Sequence, residues 1–145
     1  MKALIQRVKQ ASVTIDGKLF SEIGYGLLVF LGVEKGDNEA NAQKLCEKIV
    51  KLRIFEDEMG KMNKSLKDVN GQALIVSQFT LCGDCSKGTR PSFDKSENPV
   101  IANKLYEYFI DKMMDFEIGC QTGKFGAMMD VSLINDGPVT FLIEK

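Results

Sequence analysis

The sequence predicts an α/β (α+β) protein built as a three-layer β/β/α sandwich, with mostly antiparallel strands and two helices on one outer face. Three observations carry this. Apolar residues recur at every second position over several stretches, the period of a half-buried strand. Two longer stretches change to three- and four-residue spacing, the period of an amphipathic helix. Strand segments also outnumber helical ones, and most neighbouring strands look antiparallel, which favours layers of sheet covered by helix.

Residues 2–8 and 12–15 alternate apolar and polar side chains, and Asp16-Gly17 is a hairpin signal between Val13-Thr14-Ile15 and the segment from Leu19. Residues 25–33 form a continuous apolar run of strand length, which implies a strand covered on both faces before Gly36-Asp37-Asn38 ends it. With Asp37 or Asn38 as N-cap, Ala42, Leu45, Cys46, Ile49 and Leu52 fall on one face of a helix of about four turns. Residues 53–69 are polar, a loop or short hairpin. Residues 73–80 read as a buried strand ending in polar side chains. A second helix opens at Asn98-Pro99, where proline suits the first turn, and runs through Ile101, Leu105, Tyr106, Phe109 and Met113. Three more strands are predicted at 117–121, 127–134 and 139–144, the last two separated by Asn135-Asp136-Gly137-Pro138.

No repeat or linker divides the chain, so residues 1–145 are expected to form one domain. Nineteen basic against twenty acidic residues leave a net charge of -1, so any contact with RNA must be local. The most apolar stretch, 23–33, is broken by three glycines and is far short of a bilayer span; with no export signal at the start, a cytoplasmic protein with reduced cysteines and no membrane association is expected. The chain has no histidine. That removes Ser-His-Asp and Cys-His catalysis and His-ligated metals together, so any proton transfer runs through other groups.

Two segments look unlike plain scaffold. Ser77-Gln78-Phe79-Thr80-Leu81 clusters hydroxyl, amide and backbone N–H groups where a buried strand ends, and Lys87-Gly88-Thr89-Arg90-Pro91-Ser92-Phe93 brings two cations shortly after. Donors fixed on a rigid strand end suit an oxyanion; a strand end with a solvated basic loop is the plainer reading. The second segment is Asn135-Asp136-Gly137-Pro138-Val139-Thr140, which turn chemistry explains with no function attached. Cys82 and Cys85 have the spacing of half a zinc site, but Cys46 and Cys120 fall in a predicted helix and strand, so neither a metal nor another cofactor is expected. Met113-Met114 and Met128-Met129 are expected to fill core or interface.

Taken in order, Met-Lys-Ala-Leu-Ile-Gln-Arg-Val, Gly-Leu-Leu-Val-Phe-Leu-Gly-Val, Leu-Arg-Ile-Phe-Glu-Asp-Glu, Ser-Gln-Phe-Thr-Leu, Lys-Gly-Thr-Arg-Pro-Ser-Phe and Asn-Asp-Gly-Pro-Val-Thr span essentially the whole chain. They resemble the D-aminoacyl-tRNA deacylase family of the bacterial and eukaryotic type. The resemblance implies a homodimer that binds the acceptor end of aminoacyl-tRNA and hydrolyses the ester of D-aminoacyl-tRNA and of mischarged glycyl-tRNA. Ser77, Gln78, Phe79 and Thr80 match the motif around the scissile ester. Gly137 and Pro138 match a Gly-Pro pair that the family holds in the cis form and projects into the partner's site. There its carbonyl oxygens hold the substrate's α-amino group and an L side chain clashes. Arg7 is implied to support that loop, and Lys87 and Arg90 to contact acceptor-end phosphates, although a solvated surface role fits those two cations as well.

Two mechanisms fit these residues. Thr80 could be the nucleophile, with no histidine to activate it. Alternatively the neighbouring ribose 2′-OH positions or activates water while the Phe79 and Thr80 backbone N–H groups hold the oxyanion; the missing base favours this one. Two other readings stay open: a non-catalytic tRNA-end or nucleotide-binding module using Lys87 and Arg90, and a Ser-Lys hydrolase built on Ser77 or Ser86.

Overall fold

A computed structural model describes residues Met1–Lys145. Its spine is β1 (Lys2–Ile15). One edge of β1 pairs along nearly its whole length with β8 (Asp130–Glu144); the other pairs first with β3 (Gly26–Gly32) and then with β2 (Lys18–Ile23), all antiparallel. Beyond β3 the sheet continues through β6 (Gln72–Ser77) to β7 (Gly119–Thr122), and both of these pairings are parallel. Parallel neighbours need long crossovers. Helices α1 (Glu39–Lys51) and α2 (Pro99–Asp115) lie in them, after β3 and β6 respectively. A small hairpin, β4 (Phe55–Glu56) with β5 (Met62–Lys64), follows α1.

The fold is α+β, a mixed sheet with two helices. The sheet curls on itself until β2 meets β7, where Ser21 Oγ donates to the Thr122 carbonyl at 2.7 Å, so it nearly closes as a barrel. Alternate residues of the central strands therefore enter two cores. Leu27 and Val29 face Leu45, Ile49, Phe109 and Met113 of the helices, while Leu28 and Leu74 pack with Val8, Val13 and Ile23 inside the curl. This is why β3 reads as an uninterrupted apolar run. Asn38 caps α1, its side chain accepting from the Ala40 and Asn41 N–H groups while Asn41 reciprocates; Asn98 caps α2 ahead of Pro99.

Several expectations change. Residues 2–15 make one strand, because β8 pairs along both halves. Residues 127–134 and 139–144 are not separate strands: β8 runs through, with Gln6 opposite Thr140 and Val8 opposite Asn135, so residues 136–139 bulge opposite Arg7 alone. β6 stops at Ser77, and Phe79–Cys82 is a 3-10 turn rather than strand. The methionine expectation of core or interface divides within each pair: Met113 is buried and Met129 packs on the inner core, while Met114 and Met128 are exposed in the single copy, Met128 by 91%.

Candidate active site

The 3-10 turn at the end of β6 forms because the last rung with β3 closes on Gln78, whose N–H donates to the Leu31 carbonyl at 2.8 Å; Leu81 N–H then donates to Gln78 O and Gly83 N–H to Thr80 O. The turn presses on Gly32, where a Cβ would lie 3.0 Å from Cys82 Sγ and 3.2 Å from Gln78 O. As in any first helical turn, the leading N–H groups are left over. Phe79 and Thr80 are exposed, and neither backbone N–H donates to any group of the chain. The Thr80 hydroxyl receives the Gln78 side-chain amide at 2.5 Å. An amide does not take a proton at neutral pH, so nothing at Thr80 activates its oxygen.

These residues line a cavity of about 610 Å³ whose other walls are largely apolar: Leu31, Val33 and Val76, then Pro99 and Ala102 of α2, then residues 125–129. The buried Tyr106 hydroxyl donates to the Ile75 carbonyl at 2.7 Å, and Gly123 N–H donates to the same oxygen at 2.9 Å, which ties the last wall to β6. Burial pushes the Tyr106 hydroxyl up to about 12, so it stays a hydrogen-bond donor at neutral pH.

Beyond the turn, Asp84 and Ser92 exchange both backbone hydrogen bonds, at 2.8 and 3.0 Å, and clasp the loop between them. Lys95 lies 3.6 Å from Asp84. Lys87 and Arg90 sit at the exposed tip and form no salt bridge, and no hydrogen bond joins Lys87 to Ser77 or Ser86 as a Ser-Lys pair would need. Cys82 is buried, its Sγ 3.5 Å from the Val33 carbonyl, whereas Cys85 is exposed. No group of three acidic, Cys or His side chains could hold a metal.

The bulge of β8 is held from below by Arg7, which is 3% exposed. Its Nε donates to Asp136 O at 2.9 Å and lies 3.2 Å from Asp136 Oδ2; Nη1 donates to Ile54 O at 2.7 Å, and Nη2 is 3.5 Å from Glu56 Oε1. Asn135 replaces the missing rungs: its Oδ1 accepts from Val139 N–H at 2.7 Å and its Nδ2 donates to Val139 O at 3.1 Å. The Gly137–Pro138 bond is cis, and both residues are exposed. Gly137 has φ +153°, and a Cβ there would lie 2.5 Å from Val139 Cγ2, so only glycine fits.

The predicted site residues thus fall into three groups: Ser77, Gln78, Phe79 and Thr80 at the cavity; Lys87 and Arg90 on the adjoining loop; and Arg7, Gly137 and Pro138 elsewhere. The bulge lies level with the Val8/Gly26 end of the β1–β3 ladder, the turn with the Lys2/Gly32 end. That is about 16–20 Å along the strands at about 3.3 Å per residue. No residue of 135–140 lines the cavity. Sequence reasoning missed the walls at Pro99, Ala102 and 125–129, and the partners Ile54, Glu56 and Asp136 that cage Arg7. The Leu-Arg-Ile-Phe-Glu-Asp-Glu stretch holds two of these cage residues, but only the fold brings it under β8.

The family model described as D-Tyr-tRNA(Tyr) deacylase matches residues 4–144. Curated relatives named D-aminoacyl-tRNA deacylase include one from Thermosipho africanus, 57% identical over 145 residues covering 100% of this chain and 97% of the relative. Another, from Geotalea daltonii, is 60% identical over 144 residues, covering 99% and 96%. Among solved structures, a c-Myc DNA unwinding element binding protein superposes with a TM-score of 0.95 at 41% identity, over 100% of this chain and 99% of its own. A probable eukaryotic D-amino acid tRNA deacylase shares the fold at a TM-score of 0.85 and 16% identity, over 99% and 98%. Matched along almost its entire length, the chain belongs to the D-Tyr-tRNA(Tyr) deacylase family.

Proposed function

We propose that this chain is a D-aminoacyl-tRNA deacylase, one domain acting as a cytoplasmic homodimer, in which the cavity of one copy is completed by Gly137 and Pro138 of the other. The observation that carries the reading is the pair of unengaged N–H groups of Phe79 and Thr80 beside an apolar cavity large enough for a nucleoside. A flat base fits the apolar walls, which leaves the aminoacyl ester at Ser77 to Thr80. Two preorganised donors then meet the negative oxygen as water attacks the ester carbonyl. The ester C–O bond breaks, the ribose oxygen takes a proton, and the amino acid leaves as its acid. With no histidine and only an amide on the Thr80 hydroxyl, the ribose 2′-OH is the group left to position the water. Lys87 and Arg90, free of carboxylate partners, suit acceptor-end phosphates.

Within one copy the Gly-Pro pair is far from this cavity, so a role in it requires a second copy. Arg7 holds the Asp136 carbonyl and Asn135 holds both main-chain groups of Val139, so the exposed Gly137 and Pro138 between them are fixed on either side, and their own carbonyl groups suit an α-ammonium group. A wall of main chain cannot rotate away from an L side chain, whereas a D side chain points out and glycine has none to exclude.

The test is to follow ester loss from D-aminoacyl-, L-aminoacyl- and glycyl-tRNA with a chelator present. Rapid loss of the D and glycyl esters with the L ester intact is expected. Equal loss of D and L esters, or no turnover, contradicts the reading, the last in favour of a binding module.

A further inference from the structure

Phe93 is the one aromatic side chain of the loop that carries Lys87 and Arg90, and it does not line the cavity. Its ring centroid is 5.1 Å from that of Phe79, with the planes at 60°, a favourable tilted pair. The same ring reaches the far end of the turn. A Cβ on Gly83 would lie 3.0 Å from Phe93 Cε1 and 3.4 Å from Cδ1, so the glycine leaves the space that the ring fills. Phe93 therefore touches both the first residue of the 3-10 turn and the residue that closes it.

The turn has few other restraints on that side. Phe79 is 56% exposed, so the core does not orient it. The bonds from Gln78 to Leu31 of β3 and from Cys82 to Val33 just after it tie the turn down, and neither involves the Phe79 side chain. Phe93 is itself well placed: it follows the clasped Asp84–Ser92 pair, and its carbonyl accepts from Ser96 N–H at 2.9 Å.

We infer that Phe93 is a positioning residue for deacylation: through Phe79 and Gly83 it sets the direction of the two free N–H groups, while Lys87 and Arg90 of the same loop hold the tRNA. This rests on the deacylase reading above. Phe93 touches no reacting atom, so its loss misdirects the oxyanion donors without removing a substrate contact, and an error of about 1 Å costs about 100-fold in rate.

Steady-state kinetics of the full-length protein on D-aminoacyl-tRNA test it. Phe93→Ala is expected to lower kcat by about 10- to 100-fold while KM changes less than about threefold, and Phe93→Tyr, which keeps the ring, to stay within about threefold of wild type. Leucine keeps an apolar plug over Gly83 if alanine proves unable to fold, so a cycle of Phe79→Leu, Phe93→Leu and the double variant provides the second measurement. Acting through Phe79, Phe93→Leu should add almost nothing to the kcat loss of Phe79→Leu. An unchanged kcat in Phe93→Ala, a loss confined to KM, or independent losses that multiply in the cycle overturns the inference. A wild-type protein inactive on D-aminoacyl-tRNA removes the deacylase reading and this assignment with it; an active one indifferent to Phe93 removes this assignment alone.

Discussion

The bulge at residues 136–139 and the loop tip at residues 85–91 both project from regular pairing, yet they are held in opposite ways. Beneath the bulge a buried guanidinium binds two main-chain carbonyls and lies between two carboxylates, and Asn135 supplies the missing rungs of the ladder. The loop is clasped at its base by Asp84 and Ser92, and its two cations are exposed and form neither a side-chain hydrogen bond nor a salt bridge. The difference follows from the tasks proposed for them. Discrimination by shape fails if the shape yields, whereas attraction of a phosphate needs only charge with reach.

The largest effect is expected at Arg7. Arg7→Met leaves the Ile54 and Asp136 carbonyls without their donor, and hydrolysis of D-aminoacyl-tRNA should fall at least about 100-fold as the bulge shifts. Urea unfolding should report a loss of about 2–4 kcal/mol, from removal of a buried, hydrogen-bonded charge. Full activity in this variant would break the comparison, since the bulge would then need no cage. Asn135→Ala should come next, at about 1–3 kcal/mol for the two unsatisfied groups of Val139, with a lower ratio of D to L hydrolysis. By contrast, Lys87→Ala and Arg90→Ala should each raise KM about 3- to 10-fold, leave kcat unchanged, make the salt dependence of tRNA binding shallower by about one phosphate contact and change stability by less than about 0.5 kcal/mol. A kcat loss there would mean the tip has a structural duty.

The smallest effect concerns the thiols. At pH 8 a thiol reagent should modify the exposed Cys85 first, because burial pushes Cys46 up to about 12 and Cys120 to about 11. The stability sign follows from the same values. Above about pH 9 the unfolded chain loses thiol protons that the folded chain keeps, so stability falls with pH between about 9 and 12. Thermal melts across that range would check it; a flat profile would mean that these thiols are not shielded.

Much of this was legible in the sequence because it depends on local pattern. The apolar run of β3, the start of α1 at Asp37 or Asn38, the start of α2 at Asn98-Pro99 and the Asp16-Gly17 turn each declare themselves within a few residues. Pairings made at long range were not legible. The break at 135–138 looked like the end of a strand, since nothing local to it tells that Asn135 mimics the ladder and Arg7 anchors the bulge across 129 positions. The extension of β6 to Thr80 failed for a similar reason: Phe79 and Thr80 favour strand by type, but the contact with Gly32 and the bond to Leu31 turn the chain. Residues 125–129 carried no motif, and become a cavity wall only through Tyr106 and Gly123 at the end of β6.

The most direct test uses two inactive variants. Gly137→Ala disables the bulge, where a Cβ has no room, and Ala102→Trp fills the cavity. Refolded together in equal amounts, they should recover about one quarter of wild-type D-aminoacyl-tRNA hydrolysis, since half of the dimers are mixed and one of their two sites is intact. No recovery, with mixed dimers verified by mass, would contradict a site shared between two copies.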